Sequence, residues 1–117
     1  MELMQEFVTR YVARERRDRW LDLLKDTAKL CKKLSALSHH LGDKARHTDE
    51  HAVVLITQFI KDEGAVWLWD FFEDAPVRVT SADAIAPAYF RGTLIVLAEK
   101  SRRAIYSYDD QENSVCG

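Results

Sequence analysis

The sequence predicts an α+β domain, with N-terminal helices packed on a small, mostly antiparallel C-terminal sheet. Three observations predict it. Apolar residues recur at three- and four-residue spacing through the first half of the chain. After Gly64 the pattern changes to short apolar or alternating runs separated by turn residues. The helical segments come first and the strands second, where a parallel sheet would need them to alternate.

Leu3, Met4, Phe7, Val8, Tyr11 and Val12 form one face of a short amphipathic helix. Six charged residues follow, from Arg14 to Arg19, and then Trp20, Leu23, Leu24, Leu30, Cys31, Leu34, Leu37 and Leu41 keep a second apolar stripe. Asp26-Thr27 can cap a fresh helix inside that stripe, so residues 15–38 read as one helix or two, ended by Gly42. After a loop of about six residues, Thr48 reads as an N-cap, Asp49 and Glu50 suit the positive end of a helix dipole, and Gly64 suits the stop. Between them Ala52, Leu55, Ile56, Phe59 and Ile60 complete a helix face.

Residues 65–69 and 77–80 read as strands, Pro76 being tolerated at a strand start. Ser81 to Ala86 reads as one helical turn capped by Ser81 and ended before Pro87. Thr93 to Leu97 and Ala104 to Tyr108 form a hairpin around the polar residues 99–103. The polar tail 109–117 reads as frayed. The expected organisation is therefore a single domain over 1–117, mainly helical to 64, mainly strand over 65–108, then the tail.

Size and composition narrow the function classes. A chain of 117 residues and 13.5 kDa can bury roughly two-thirds of its unfolded surface, so it needs no metal or disulfide staple. No apolar run approaches the roughly 20 residues of a membrane span. The acidic start Met1 to Glu6 lacks the basic and apolar regions of a secretory signal, so a cytoplasmic location is expected. Cys31 and Cys116 are too few and too far apart for a disulfide framework or zinc knuckle.

Charge is unevenly spread. Residues 1–47 carry 11 Lys/Arg and 7 Asp/Glu, whereas residues 48–117 carry 6 and 12, for a total of −2. Such poles point to charged partners.

Motifs for chemistry are scarce. The four glycines, at 42, 64, 92 and 117, never cluster into a phosphate-cradling loop. Cys31 lies on an apolar stripe and reads as an inert core thiol, Cys116 lacks rigid support, and no serine stands in an elbow motif. No enzymatic activity and no cofactor are therefore expected. Asp43, His47 and His51 are four apart and would offer a metal two nitrogens and an oxygen if that stretch were helical, though Gly42 and Thr48 read as signals that break it. His39 and His40 suit a helix C-terminus. Arg14, Arg16, Arg17 and Arg19 make a basic stripe that could follow a phosphate backbone, but Glu15, Asp18, Asp22 and Asp26 are interleaved with the basic residues.

The aromatic residues of the second half are the stronger signal. Trp67, Trp69 and Phe71 share one face of an extended strand, with Val66, Leu68 and Phe72 on the other, next to Asp70, Glu73 and Asp74. Either helices cover one face and the C-terminal segment the other, or one face meets another chain, a second copy included. The expected protein-binding residues are Trp67, Trp69, Asp70, Glu73 and Asp74, with Asp109, Asp110 and Glu112 of the tail.

The helical opening ERRDRWLDLL, the helix end LSALSHHLGD and the closing hairpin GTLIVLAEKSRRAIYSYDDQE cover under half of the chain. In these and in its size the sequence resembles small bacterial immunity proteins, which neutralise toxins. The resemblance implies a non-enzymatic inhibitor that occludes a toxin's active site through an acidic or aromatic patch. It assigns no individual residue. The other readings are a nucleic-acid-associated regulator using the Arg14 to Arg19 stripe and a metal-dependent enzyme or sensor using Asp43, His47 and His51.

Overall fold

A computed structural model describes residues 2–71, 75–81, 83, 85, 92–101 and 103–117. The chain is α+β, as expected: among the described residues, four α-helices and two 3-10 segments combine with a six-stranded antiparallel sheet. The helices are α1 (Glu2–Tyr11), α2 (Arg17–Leu23), α3 (Thr27–Lys33) and α4 (Ala52–Glu63). The strands are β1 (Ala45–Thr48), β2 (Val66–Trp69), β3 (Val77–Val79), β4 (Thr93–Ala98), β5 (Ala104–Tyr108) and β6 (Glu112–Cys116), in spatial order β1-β6-β5-β4-β2-β3.

The sheet is covered on both faces. Trp69, Ile95, Leu97, Ala104, Tyr106 and Cys116 face the first three helices and the 3-10 segment that follows them, where Met4, Phe7, Val8, Trp20, Leu30 and Leu37 close one core. Val66, Leu68, Leu94, Val96 and Ile105 alternate with them and face α4, where Ala52, Leu55, Ile56 and Phe59 close the other. This strict alternation is the period-2 consequence of strand geometry. It also explains why β4 is buried at every position: a central strand between two helical layers has no solvent face.

The long stripe 15–38 is broken more often than the sequence suggests. A 3-10 segment (Arg14–Arg16) precedes α2, and α3 starts afresh where the Asp26 carboxylate accepts from the Ala28 and Lys29 N–H groups at 3.1 and 3.3 Å. A second 3-10 segment (Leu34–His40) carries the chain to Leu41. There the Ala13 N–H donates to His40 O and the Gly42 N–H to Tyr11 O, each at 2.7 Å, tying the end of α1 to the end of the stripe. Gly64 ends α4 at φ 82°, a conformation that costs a residue with a side chain more.

Four expectations need correction. The tail is not frayed: β6 lies between β5 and β1, and its Asn113, Ser114 and Cys116 are buried. Polarity misled because the segment's polar groups are spent on ladder and cap hydrogen bonds. The loop before α4 contains β1, whose residues are exposed or half-buried and so lack an apolar signature. The second face of the sheet is covered by α4, not by the C-terminal segment. Cys31 is exposed, whereas Leu30 beside it points into the core. The turn expected over 81–86 falls largely outside the described residues; of it, the Ser81 hydroxyl accepts from the Asp83 N–H at 3.3 Å.

Candidate functional site

Antiparallel pairing decides which acidic residues meet. Thr48 stands opposite Asn113, Tyr108 opposite both Glu112 and Thr93, and Trp69 opposite Ile95. The end of β1, the β5–β6 turn, the start of β4 and the end of β2 therefore share one end of the sheet. Asp49, Glu50, Asp70, Asp109, Asp110 and Glu112 gather there, and the segments 48–52, 69–71, 92–94 and 107–113 contain no Lys or Arg.

The local chemistry that builds this end is legible atom by atom. Asp109 and Asp110 form the β5–β6 turn with φ of 53° and 51°, closed by the Gln111 N–H donating to Tyr108 O at 3.0 Å. Two consecutive left-handed residues match the twist of a tight hairpin, and Asp tolerates that region better than most side chains. Asp110 then caps α4: its Oδ1 accepts from the Ala52 N–H at 2.7 Å and from Asn113 Nδ2 at 2.9 Å, and its Oδ2 lies 3.1 Å from His51 Nδ1. Asn113 Nδ2 also reaches Glu50 O at 2.9 Å. Partial burial pushes the Asp110 carboxyl upward, but the donors at Ala52, Asn113 and His51 outweigh it and hold the group below its ordinary value. The helix expected to be capped by Thr48 thus starts three residues later, at Ala52, with the carboxylate supplied by another element. Thr48 instead turns the chain, accepting from the Glu50 N–H at 3.2 Å.

The expected protein-binding residues divide accordingly. Asp109 is exposed, as are Asp49 and Glu50, which the sequence did not single out for binding. Glu112 is half-buried and its Oε2 accepts from the Ser38 hydroxyl at 3.0 Å. Asp70 is buried and engaged within the fold. Trp69 is core, its ring 3.9 Å from that of Phe71, which the turn after β2 holds at φ 68°. Trp67 is 39% exposed, opposite Arg78, whose guanidinium grips Glu99 through two bonds of 2.8 and 2.9 Å. Glu73 and Asp74 lie outside the described residues.

The residues of the two alternative sites are dispersed. Asp43 sits in a turn, His47 on β1 and His51 before α4, so they share no helix face. Among the described residues no three His, Cys, Asp or Glu side chains are grouped to hold a metal ion. The arginines are divided between a 3-10 segment and α2. Arg17 Nε donates to Val12 O at 3.0 Å, and Arg16 lies against His40, while Arg14 and Arg19 are exposed. His40 accepts from the Trp20 indole at 3.0 Å, and burial, followed by the adjacent Arg16 charge, lowers its affinity for a proton.

Two clefts carry no sequence signal. One, of about 340 Å³, is lined by Ser38, His39, His47, Glu112 and Ser114; the other, of about 370 Å³, by Arg46, His47, Gln58, Phe59 and Arg103. Both depend on β1, a strand that no apolar alternation announces. No helix among the described residues is long and apolar enough to cross a membrane. Comparison with protein-family models, curated proteins and solved structures finds no match to the chain.

Proposed function

We propose that the chain is a non-catalytic protein-binding module of the inhibitor type, an immunity-like protein that seats a basic surface of a partner, such as a toxin's active-site cleft, against the acidic end of its sheet. The observation that carries this reading is the convergence there of Asp49, Glu50, Asp109, Asp110 and Glu112 on segments, 48–52 and 107–113, that contain no Lys or Arg. A concentrated acidic surface speeds association with a basic one and discriminates against acidic competitors. Trp67, exposed on the same sheet, supplies the kind of aromatic side chain that anchors interfaces. Asp110 and Glu112 are held by hydrogen bonds, so much of the patch is rigid before it binds, which lowers the ordering cost of association.

The test is co-purification from the cells that encode the chain, comparing the wild type with Asp49→Asn/Glu50→Gln/Asp109→Asn. These three side chains are exposed, and Asn tolerates the left-handed conformation at 109. The reading expects one stoichiometric partner that bears a basic surface and is lost from the variant. A partner retained equally by both proteins, or nucleic acid in its place, contradicts it.

A further inference from the structure

We propose that the outer edge of β1 accepts an extended acidic peptide as a seventh strand, whose alternate side chains enter the clefts on its two sides. This site adjoins the acidic end, with Glu50 lining one cleft and Glu112 the other, but it does not depend on the reading above.

Three observations converge on it. The first is the free edge itself. β1 is the terminal strand, and among the described residues it pairs only with β6. The Gly117 N–H donates to Lys44 O at 2.9 Å, which makes 44 and 117 a hydrogen-bonded pair. In an antiparallel ladder such pairs alternate, so Arg46 and Thr48 bond inward to β6, while the N–H and C=O of His47 and the C=O of Ala45 point outward. The Ala45 N–H is spent locally, on Gly42 O at 3.1 Å. His47 therefore offers a donor and an acceptor in the spacing that an added strand needs.

The second observation is the pair of clefts. They flank β1 on opposite faces of the sheet, and His47 lines both. The 340 Å³ cleft lies between β1, β6 and the 3-10 segment Leu34–His40; the 370 Å³ cleft lies between β1, β6 and α4. Side chains of an added strand alternate between faces, so successive residues would enter successive clefts. This is the arrangement by which strand addition obtains affinity from the backbone and selectivity from the side chains.

The third observation is charge, which selects the occupant. Arg46 makes no side-chain hydrogen bond or ion pair among the described residues and lines the larger cleft with Arg103. The Arg103 guanidinium lies 4.5 Å from the centre of the Phe59 ring, and its contact with Asp62 Oδ2 is long, at 3.8 Å. Two guanidiniums there face the one carboxylate of Glu50, and Lys44 extends the basic edge. A carboxylate is the complement of a guanidinium fork. The same cations oppose pairing of this edge with a second copy of itself. On the other face Glu112, which accepts from the Ser38 hydroxyl, lines the cleft with His39, His47 and Ser114, so an uncharged polar side chain suits it and a carboxylate does not.

The probe is a dye-labelled Glu-Thr-Glu-Thr-Glu-Thr peptide read by fluorescence anisotropy at low salt, against the full chain. The proposal expects saturable binding and slowed exchange of the His47 amide. Affinity should fall at least about tenfold with Arg46→Glu and be lost with His47→Pro, which removes an N–H that the native ladder does not use. A peptide N-methylated at alternate residues should not bind the wild type, a control that leaves the protein untouched. Any of four results overturns the proposal: no binding, equal binding of a Lys-Thr peptide, indifference to N-methylation, or concentration-dependent His47 protection without peptide, which would assign the edge to a second copy.

Discussion

Asp110 joins three parts of the molecule through one carboxylate: the β5–β6 turn, the start of α4 and the side chain of Asn113. Replacing it with Ala removes the cap and should cost about 1 kcal/mol, a few degrees in the melting temperature. Asp110→Asn, which tolerates the left-handed turn, should cost less. Because the native carboxyl titrates below its ordinary value, its contribution is complete above about pH 4 and lost as pH falls through the native value. The stability difference between wild type and Asp110→Asn should therefore shrink in acid denaturation curves. His40 acts with the opposite chemistry. Its native pKa lies below the ordinary 6.5, so stability is lost as pH falls from about 6.5 towards that native value, where the unfolded chain binds a proton that the folded chain refuses. An NMR titration should place its midpoint below 6.5. The two cysteines should separate cleanly: burial pushes the Cys116 thiol up to about 12, whereas Cys31 is exposed. A thiol reagent at neutral pH should modify one site in the native protein and two in denaturant; two fast sites would contradict the burial of Cys116.

At the scale of elements, β6 carries the sharpest consequence. It supplies Cys116 to one core and Asn113 to the α4 cap, and it is the only described strand that joins β1 to the sheet. A chain ending before Glu112 should fail to fold cooperatively, where removal of a frayed tail would leave the melting curve unchanged; circular dichroism distinguishes the two. The helices and the β4–β5 hairpin were legible because apolar periodicity reports which face is buried. β1 and β6 were not, because edge exposure erases the pattern in one and buried polar side chains mimic a loop in the other. Asp26 announced its cap locally, two and three residues from its donors. Asp110 could not, because its donor at Ala52 lies 58 residues away in sequence.

Across the whole molecule, the sheet turns a sequence bias into a surface. The acidic excess of residues 48–117 was visible in composition, and Asp70, Asp109, Asp110 and Glu112 were visible as candidates, but their meeting depends on strand order, which no local pattern encodes. Strand order also adds Asp49 and Glu50 to them, and it leaves Trp67 exposed while burying Trp69. The basic half does not form a matching stripe, because the helix that would align it is interrupted at Ala13 and Asp26. Partner recognition at the acidic end of the sheet is the central claim. The most direct test is amide hydrogen exchange on the complex recovered from native cells, compared with the free chain. Protection gained at residues 49–51 and 109–112 is the predicted result; protection confined to residues 14–34, with the acidic end unchanged, would contradict it.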